Sequence, residues 1–114
     1  MSGSCIFCRI ASKEIPAAVV YEDGDVLAFR DASPQAPTHV LVIPKRHIGT
    51  LDDLSEADAP LLGAMMLAAT QVAAAAGLGA GYRVVANCGA HGGQSVDHVH
   101  FHVLGGRPMS WPPG

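Results

Sequence analysis

Three histidines at alternate positions, His98, His100 and His102, are the densest concentration of chemically active side chains in this sequence. The run 98–104 reads His-Val-His-Phe-His-Val-Leu, so a strand with period two puts all three imidazoles on one face. Val99, Phe101 and Val103 then point the other way, into a core. Three imidazoles on one face are costly to pack without a shared ligand or a substrate. Two chemistries fit them. Neutral imidazole is a common zinc ligand, and three could hold a catalytic metal with an open position. Alternatively, one imidazole attacks phosphorus, with its other ring nitrogen held as a donor to an oxygen.

The segment just before the histidines favours phosphorus. Gly89, Gly92 and Gly93 allow close backbone approach and exposed amides, and Gln94 and Ser95 add side-chain donors. A glycine-rich loop alone is more often only a turn; beside three histidines it reads as an anion cradle. A second cluster, Cys5-Ile6-Phe7-Cys8, has the spacing of half a zinc site and needs two further ligands. Cys88 has no visible partner.

These groups need elements to hold them. Alternating apolar and polar residues over 18–22 and 26–31, separated by Asp23-Gly24-Asp25, read as a β-hairpin. A third strand over 39–43 follows a stiff loop with Pro34 and Pro37 and is closed by Pro44. Ser55-Glu56-Ala57-Asp58 has the form of a capping box, and the Ala-, Leu- and Met-rich residues after it predict one long helix ending before Gly77 and Gly79. Runs 82–87 and 98–104 read as two more strands, and residues 5–12 as a short helix. The result is an α+β domain over 1–114, with a five-stranded, mostly antiparallel sheet, one long helix and one short helix.

Composition narrows the partners. At 114 residues there is room for one modest core, and a second subunit would be a natural supplement. A net charge of -3, with both signs scattered, gives no footprint for a nucleic acid polymer or an anionic membrane. The longest apolar run, 61–76, is interrupted by Gly63, Thr70 and Gln71 and reads as too short and polar for a membrane span. The first residues have no basic leader followed by an apolar stretch, and read as a mature start. Three cysteines, an odd set, fit a reducing compartment, so the expected location is the cytoplasm.

The 98–104 run resembles the histidine triad, in which histidine and apolar residues alternate. Gly92-Gly93-Gln94-Ser95-Val96, the stretch 31–39, Leu41-Val42-Ile43-Pro44-Lys45, Leu104-Gly105-Gly106-Arg107 and Trp111-Pro112-Pro113-Gly114 are similar to the Hint branch of that family. His102 stands where the related nucleotidyltransferase branch carries glutamine, which favours transfer to water. The resemblance implies a single HIT domain in a homodimer with a continuous ten-stranded sheet. It also implies a hydrolase: a purine nucleoside phosphoramidase that cleaves P–N bonds of adenosine or guanosine 5'-phosphoramidates, or aminoacyl adenylates, through a nucleotidyl-histidine. A dinucleoside polyphosphate hydrolase and a nucleotide-sensing scaffold are the alternatives. On this resemblance His100 is the nucleophile, His102 and Ser95 bond the phosphate or leaving group, and His39 orders the imidazoles. Asp31 takes the ribose hydroxyls, with Asn87, Gly93 and Gln94 near ribose and phosphate; Ile6, Phe7, Ile10 and Phe29 form the purine slot. The sequence departs from the family pattern at Ala32, usually a larger aliphatic residue against the base, and at Arg9, more often lysine. Several bacterial Hint-like proteins carry zinc at positions equivalent to Cys5, Cys8, His47 and His98, which makes a structural zinc the expected cofactor, with no organic cofactor.

Overall fold

The computed structural model describes residues 4–114. Its five strands are β1 (Val19–Glu22), β2 (Val26–Arg30), β3 (Thr38–Pro44), β4 (Tyr82–Ala86) and β5 (Phe101–Gly105). They form one sheet in the order β1-β2-β3-β5-β4, with every pairing antiparallel. The expected hairpin forms at Asp23-Gly24-Asp25: the Asp23 carboxylate accepts the backbone N–H groups of Asp25 and Val26, each at 2.8 Å. The sheet is covered on both faces. Central strands β2 and β3 are therefore buried almost throughout, which is why they read as continuous apolar runs.

One face packs against the long helix α2 (Ala59–Ala75). Met65, Ala68, Ala69, Val72 and Ala73 join Val26, Ala28, Val40, Val42, Val99, Phe101 and Val103 in the larger core. The capping box lies one turn earlier than α2. Ser55 donates its N–H to the Asp58 carboxylate (2.9 Å) in a 3-10 turn, Glu56–Asp58, and Pro60 then stands in the first helical turn. At the other end Gly77, with φ +74°, and Leu78 donate back to the carbonyls of Ala74 and Ala73, which terminates the helix as only a left-handed residue allows. A second 3-10 turn, Leu51–Asp53, was not foreseen. Contrary to the sequence expectation, the helical run Glu56–Ala75 is long and apolar enough to cross a membrane by length and composition. In this fold one side of it supplies the core.

The opposite face carries the short helix α1 (Ile6–Ala11), whose Phe7 and Ile10 bury against Leu27, Phe29, Leu41 and Ile43. The histidines share this face. The expected strand over 98–104 is corrected here: β5 begins only at Phe101, so His98 and His100 precede the ladder. Pro44 has no N–H to offer, and Val99 donates instead to the Ile48 carbonyl at 2.7 Å. The alternation survives, because Val99 and Phe101 still bury against α2.

Candidate active site

Backbone carbonyls and amides fix the tautomer of each triad ring. The Nδ1 of His100 lies 2.7 Å from the carbonyl oxygen of His98; a carbonyl only accepts, so Nδ1 carries the proton and Nε2 keeps a lone pair. His39 is set in the opposite sense. The Gln35 N–H donates to His39 Nδ1 at 3.0 Å, so the proton of His39 sits on Nε2 and is donated to His102 Nδ1 at 2.8 Å. His102 therefore carries its own proton on Nε2. One ring is left as a nucleophile and its neighbour, 5.0 Å away between centroids, as a donor. Asp31 closes the relay, with Oδ2 3.4 Å from His39 Nε2 and Oδ1 accepting the Ser33 N–H at 2.8 Å. Asp31, His39 and His102 are close enough together to suggest a metal site. Since His39 Nε2 and His102 Nδ1 already share a proton, this trio works as a hydrogen-bond chain.

Burial holds His102 down to about 4 from 6.5; the neighbouring His100 and His39 act the same way, and Asp31 opposes them. His102 is thus neutral at pH 7. Between pH 6.5 and about 4 the unfolded chain binds a proton at this residue that the folded chain refuses. The contribution is full above 6.5 and is lost as pH falls through that window. Urea midpoints measured from pH 7 to 4.5 should fall, and the fall should be shallower in His102→Gln. Equal slopes for the two proteins would contradict this assignment.

His100 and His102 open into a cleft of about 590 Å³, a size suited to a small organic ligand. Ile6, Phe7, Ile10 and Phe29 line it as expected, and Ile15, Pro16, Ala17, Ala18, Ala32, Leu41 and Val96 extend the apolar wall. Arg30, Asp31 and Ser95 complete the lining, with Asp31 beside the His39–His102 pair. The segment 15–18 was read from the sequence only at Ala18, as the first residue of the hairpin's first strand. Its Ile-Pro-Ala-Ala composition carries no polar signal, and only the fold brings it opposite α1.

The glycine loop, expected to be an anion cradle, spends several of its donors on itself. Gly93 and Gln94 donate their N–H groups to the carbonyls of Ala90 and Gly89, and the Gly89 N–H goes to the Gln94 side chain at 3.0 Å. The Gln94 amide in turn donates to the carbonyls of Gly49 (2.8 Å) and Val96 (3.0 Å). Gln94 is a loop staple, and its donors are spent. Asn87, Gly93 and Gln94 are not among the cleft's lining residues; from the loop, Ser95 and Val96 are. The glycines serve closure. A Cβ on Gly92 would collide with the Cys88 backbone, and Gly93 has φ +81°.

Behind Phe7 the four foreseen metal-type donors converge. His98 Nδ1 lies 3.4 Å from Cys5 Sγ, 3.5 Å from Cys8 Sγ and 3.2 Å from His47 Nδ1, which is 3.2 Å from Cys8 Sγ. In a tetrahedron with ordinary zinc bond lengths, the N···N edge is about 3.3 Å and the N···S edge about 3.6 Å. The set fits within a few tenths of an ångström. The tautomer fits too: His98 Nε2 donates to the Pro44 carbonyl at 2.8 Å, so Nδ1 faces the cluster as a lone pair. Desolvation also holds the His98 imidazole below its ordinary value, which favours the neutral, ligating form. None of the three cysteines forms a disulfide.

An antiparallel five-stranded α+β sheet that presents an oriented pair of imidazoles to a largely apolar cleft is an arrangement that known proteins share. The model of the HIT domain matches residues 12–109. The chain is 53% identical to an uncharacterized HIT-like protein of Synechocystis sp. over the full length of both. A HIT family hydrolase from Legionella pneumophila superposes with a TM-score of 0.94 at 55% identity, covering 96% of this chain and 99% of that one. A histidine triad protein from Clostridium difficile gives 0.92 at 42% identity, with 95% of each chain covered. This chain belongs to the HIT family.

Proposed function

We propose that the chain is a nucleotide-binding hydrolase of the Hint branch, a purine nucleoside phosphoramidase working through a nucleotidyl-histidine. The observation that carries this reading is the His100 ring, with Nδ1–H held by a carbonyl and the bare Nε2 left for a cleft that is apolar at one end and polar at the other. A flat purine suits the Phe7, Ile10 and Phe29 end. The Asp31 carboxylate accepts ribose hydroxyls, which leaves the 5'-phosphorus beside His100.

His100 Nε2 attacks phosphorus, the P–N bond breaks, and the leaving amine takes up a proton from the solvent, which the attacking water of the second step returns. Ser95 Oγ–H and His102 Nε2–H donate to the phosphoryl oxygens or the leaving nitrogen as charge develops there. Water then attacks the phosphorus, the P–N bond to His100 breaks, and the nucleoside monophosphate leaves. The test is a turnover panel of adenosine and guanosine phosphoramidates, aminoacyl adenylates and dinucleoside polyphosphates. Phosphoramidates should turn over fastest. Preference for the polyphosphates would favour the neighbouring branch, and tight AMP binding without turnover of any substrate would favour a sensor.

Cys5, Cys8, His47 and His98 fit a structural zinc. Four protein ligands would leave no open position, so the zinc would hold chain segments together while the chemistry stays with His100. Elemental analysis of tag-free protein should find about one zinc per chain; its absence after reconstitution with reduced thiols would remove the site. Thiolates kept available for a metal also suit a reducing cytoplasm.

A homodimer belongs to the same proposal. The pairing of β1 with β2 is interrupted by a register shift between Val19 and Tyr21, whereas β4 pairs with β5 without interruption, so β4 is the more regular edge strand for a ten-stranded sheet. Met66, Leu67, Tyr82 and Trp111 are exposed, Leu67 at 64% and Trp111 at 84%, and supply apolar area for a second copy to cover. Sedimentation at micromolar concentration should give twice the chain mass, and an active monomer would defeat this assembly.

A further inference from the structure

The Cys5/Cys8/His47/His98 cluster and the His100 ring are joined by two short physical links. The first is the backbone of His98: its side chain enters the cluster through Nδ1, while its carbonyl oxygen, 2.7 Å from His100 Nδ1, holds the tautomer that frees Nε2. The second is Phe7, one residue from Cys8 on α1. Its ring meets His98, His100 and Phe29 edge-on, with centroids 5.9, 5.1 and 5.6 Å apart and interplanar angles of 72°, 88° and 75°.

Helix α1 has only six residues, far below the length that is stable alone in water. Its start depends on Cys5, whose sulfur accepts the Cys8 N–H at 3.5 Å. Phe7 and Ile10 hold it to the sheet by burial, but burial is non-directional and does not fix the angle of a short helix. The four-donor cluster ties both ends of Cys5–Cys8 to His47, just beyond β3, and to His98, just before β5.

We propose that this cluster is the positioning device of the active site: by clamping α1 and the His98 backbone together, it sets Phe7 against the His100 ring and orients the nucleophile. The proposal rests on the nucleotide reading above. Phe7 lines the base slot and also positions the His100 ring, which it meets edge-on. The clamp's loss slackens the base slot and lets His100 exchange tautomers, while the larger core on the other face of the sheet stays packed.

The experiment compares zinc-loaded protein with protein stripped by acid and chelator under reducing conditions, and adds a zinc-loaded Phe7→Leu variant. AMP affinity is read by calorimetry, the His100 tautomer by nitrogen NMR of the imidazoles, and folding by circular dichroism. Stripped protein that keeps its sheet signal should bind AMP about ten-fold more weakly and lose the single Nδ1–H signature of His100. Phosphoramidate turnover should fall on the order of 10²-fold, the scale for a misplaced reacting group, and added zinc should restore all three. Stripped, folded protein with unchanged AMP affinity and His100 spectrum overturns the proposal. If stripping unfolds the chain, Phe7→Leu decides. Its loaded form should lose roughly three- to ten-fold in turnover and show a shifted His100 signal, and unchanged kinetics and spectrum overturn the proposal. Loaded wild-type protein that neither binds AMP nor cleaves a phosphoramidate defeats the nucleotide reading, and this inference with it; loaded protein that is fully active separates the two failures.

Discussion

His100→Ala should lose more than about 10⁴-fold in phosphoramidate turnover while binding AMP within a few-fold of wild type. Removing the ring deletes the atom that forms the new bond to phosphorus, so no route through a nucleotidyl-protein remains. Binding should survive because on the proposed reading its main contacts lie elsewhere: Phe7, Ile10 and Phe29, which line the cleft, would hold the base, and Asp31 would hold the ribose. Rapid acid quenching of wild type should trap a nucleotide adduct in the peptide containing His100, and the variant should yield none. An adduct at His98 or His102 would contradict the tautomers. His98 Nε2 is committed to the Pro44 carbonyl and its Nδ1 to the cysteine cluster, and His102 presents a proton to the cleft. Full activity of the variant would end the mechanism altogether.

Much of the fold was legible because two periodicities were clean. Alternation in 18–31 and 98–104 and the apolar run 39–43 placed the strands to within a few residues, and the alanine-rich stretch placed α2. Antiparallel order followed in kind. The start of β5 was not legible, since Pro44 limits the ladder from the opposite strand and a single segment carries no information about its partner. The side chains of the triad were read correctly as sharing a face with one another, yet their roles diverge through backbone atoms. The carbonyl of His98, the N–H of Gln35 and the carbonyl of Pro44 decide which nitrogen bears each proton, and every residue has these groups. Gln94 shows what residue type alone leaves open. Its residue type and its place before the histidines suggested a phosphate donor, and the loop consumes its amide. The wall from Ile15 to Ala18 was missed because apolar residues beside a strand have no signature until a helix packs across from them. The metal-type cluster was visible as Cys-x-x-Cys, while its completion by His47 and His98 came from the family resemblance. Spatial convergence of the four donors is a property of the sheet, which brings the end of β3 and the approach to β5 together.

Ser95→Ala separates positioning of the nucleophile from stabilisation of the charge it creates. Ser95 lines the cleft, two residues after Gly93, and the closed glycine loop leaves it as the loop's polar side chain in that lining. With Gln94 engaged elsewhere, Ser95 Oγ–H and His102 Nε2–H are, beside the Arg30 guanidinium, the side-chain donors of the lining that a phosphoryl oxygen would meet. Losing one such donor costs about 10²–10³-fold in rate, since its bond strengthens as charge grows on oxygen. The serine variant should therefore still form the His100 adduct, only more slowly. Single-turnover kinetics with an adenosine phosphoramidate should show adduct formation slowed on the order of 10²-fold, with AMP affinity changed far less. His102→Gln keeps a donor but breaks the proton chain from His39, so it should fall between Ser95→Ala and wild type. A Ser95→Ala protein with wild-type rates would place the oxyanion stabilisation in backbone amides. A Ser95→Ala protein as inactive as His100→Ala, with no adduct, would make the serine itself part of the bond-forming path and would displace His100 from that role.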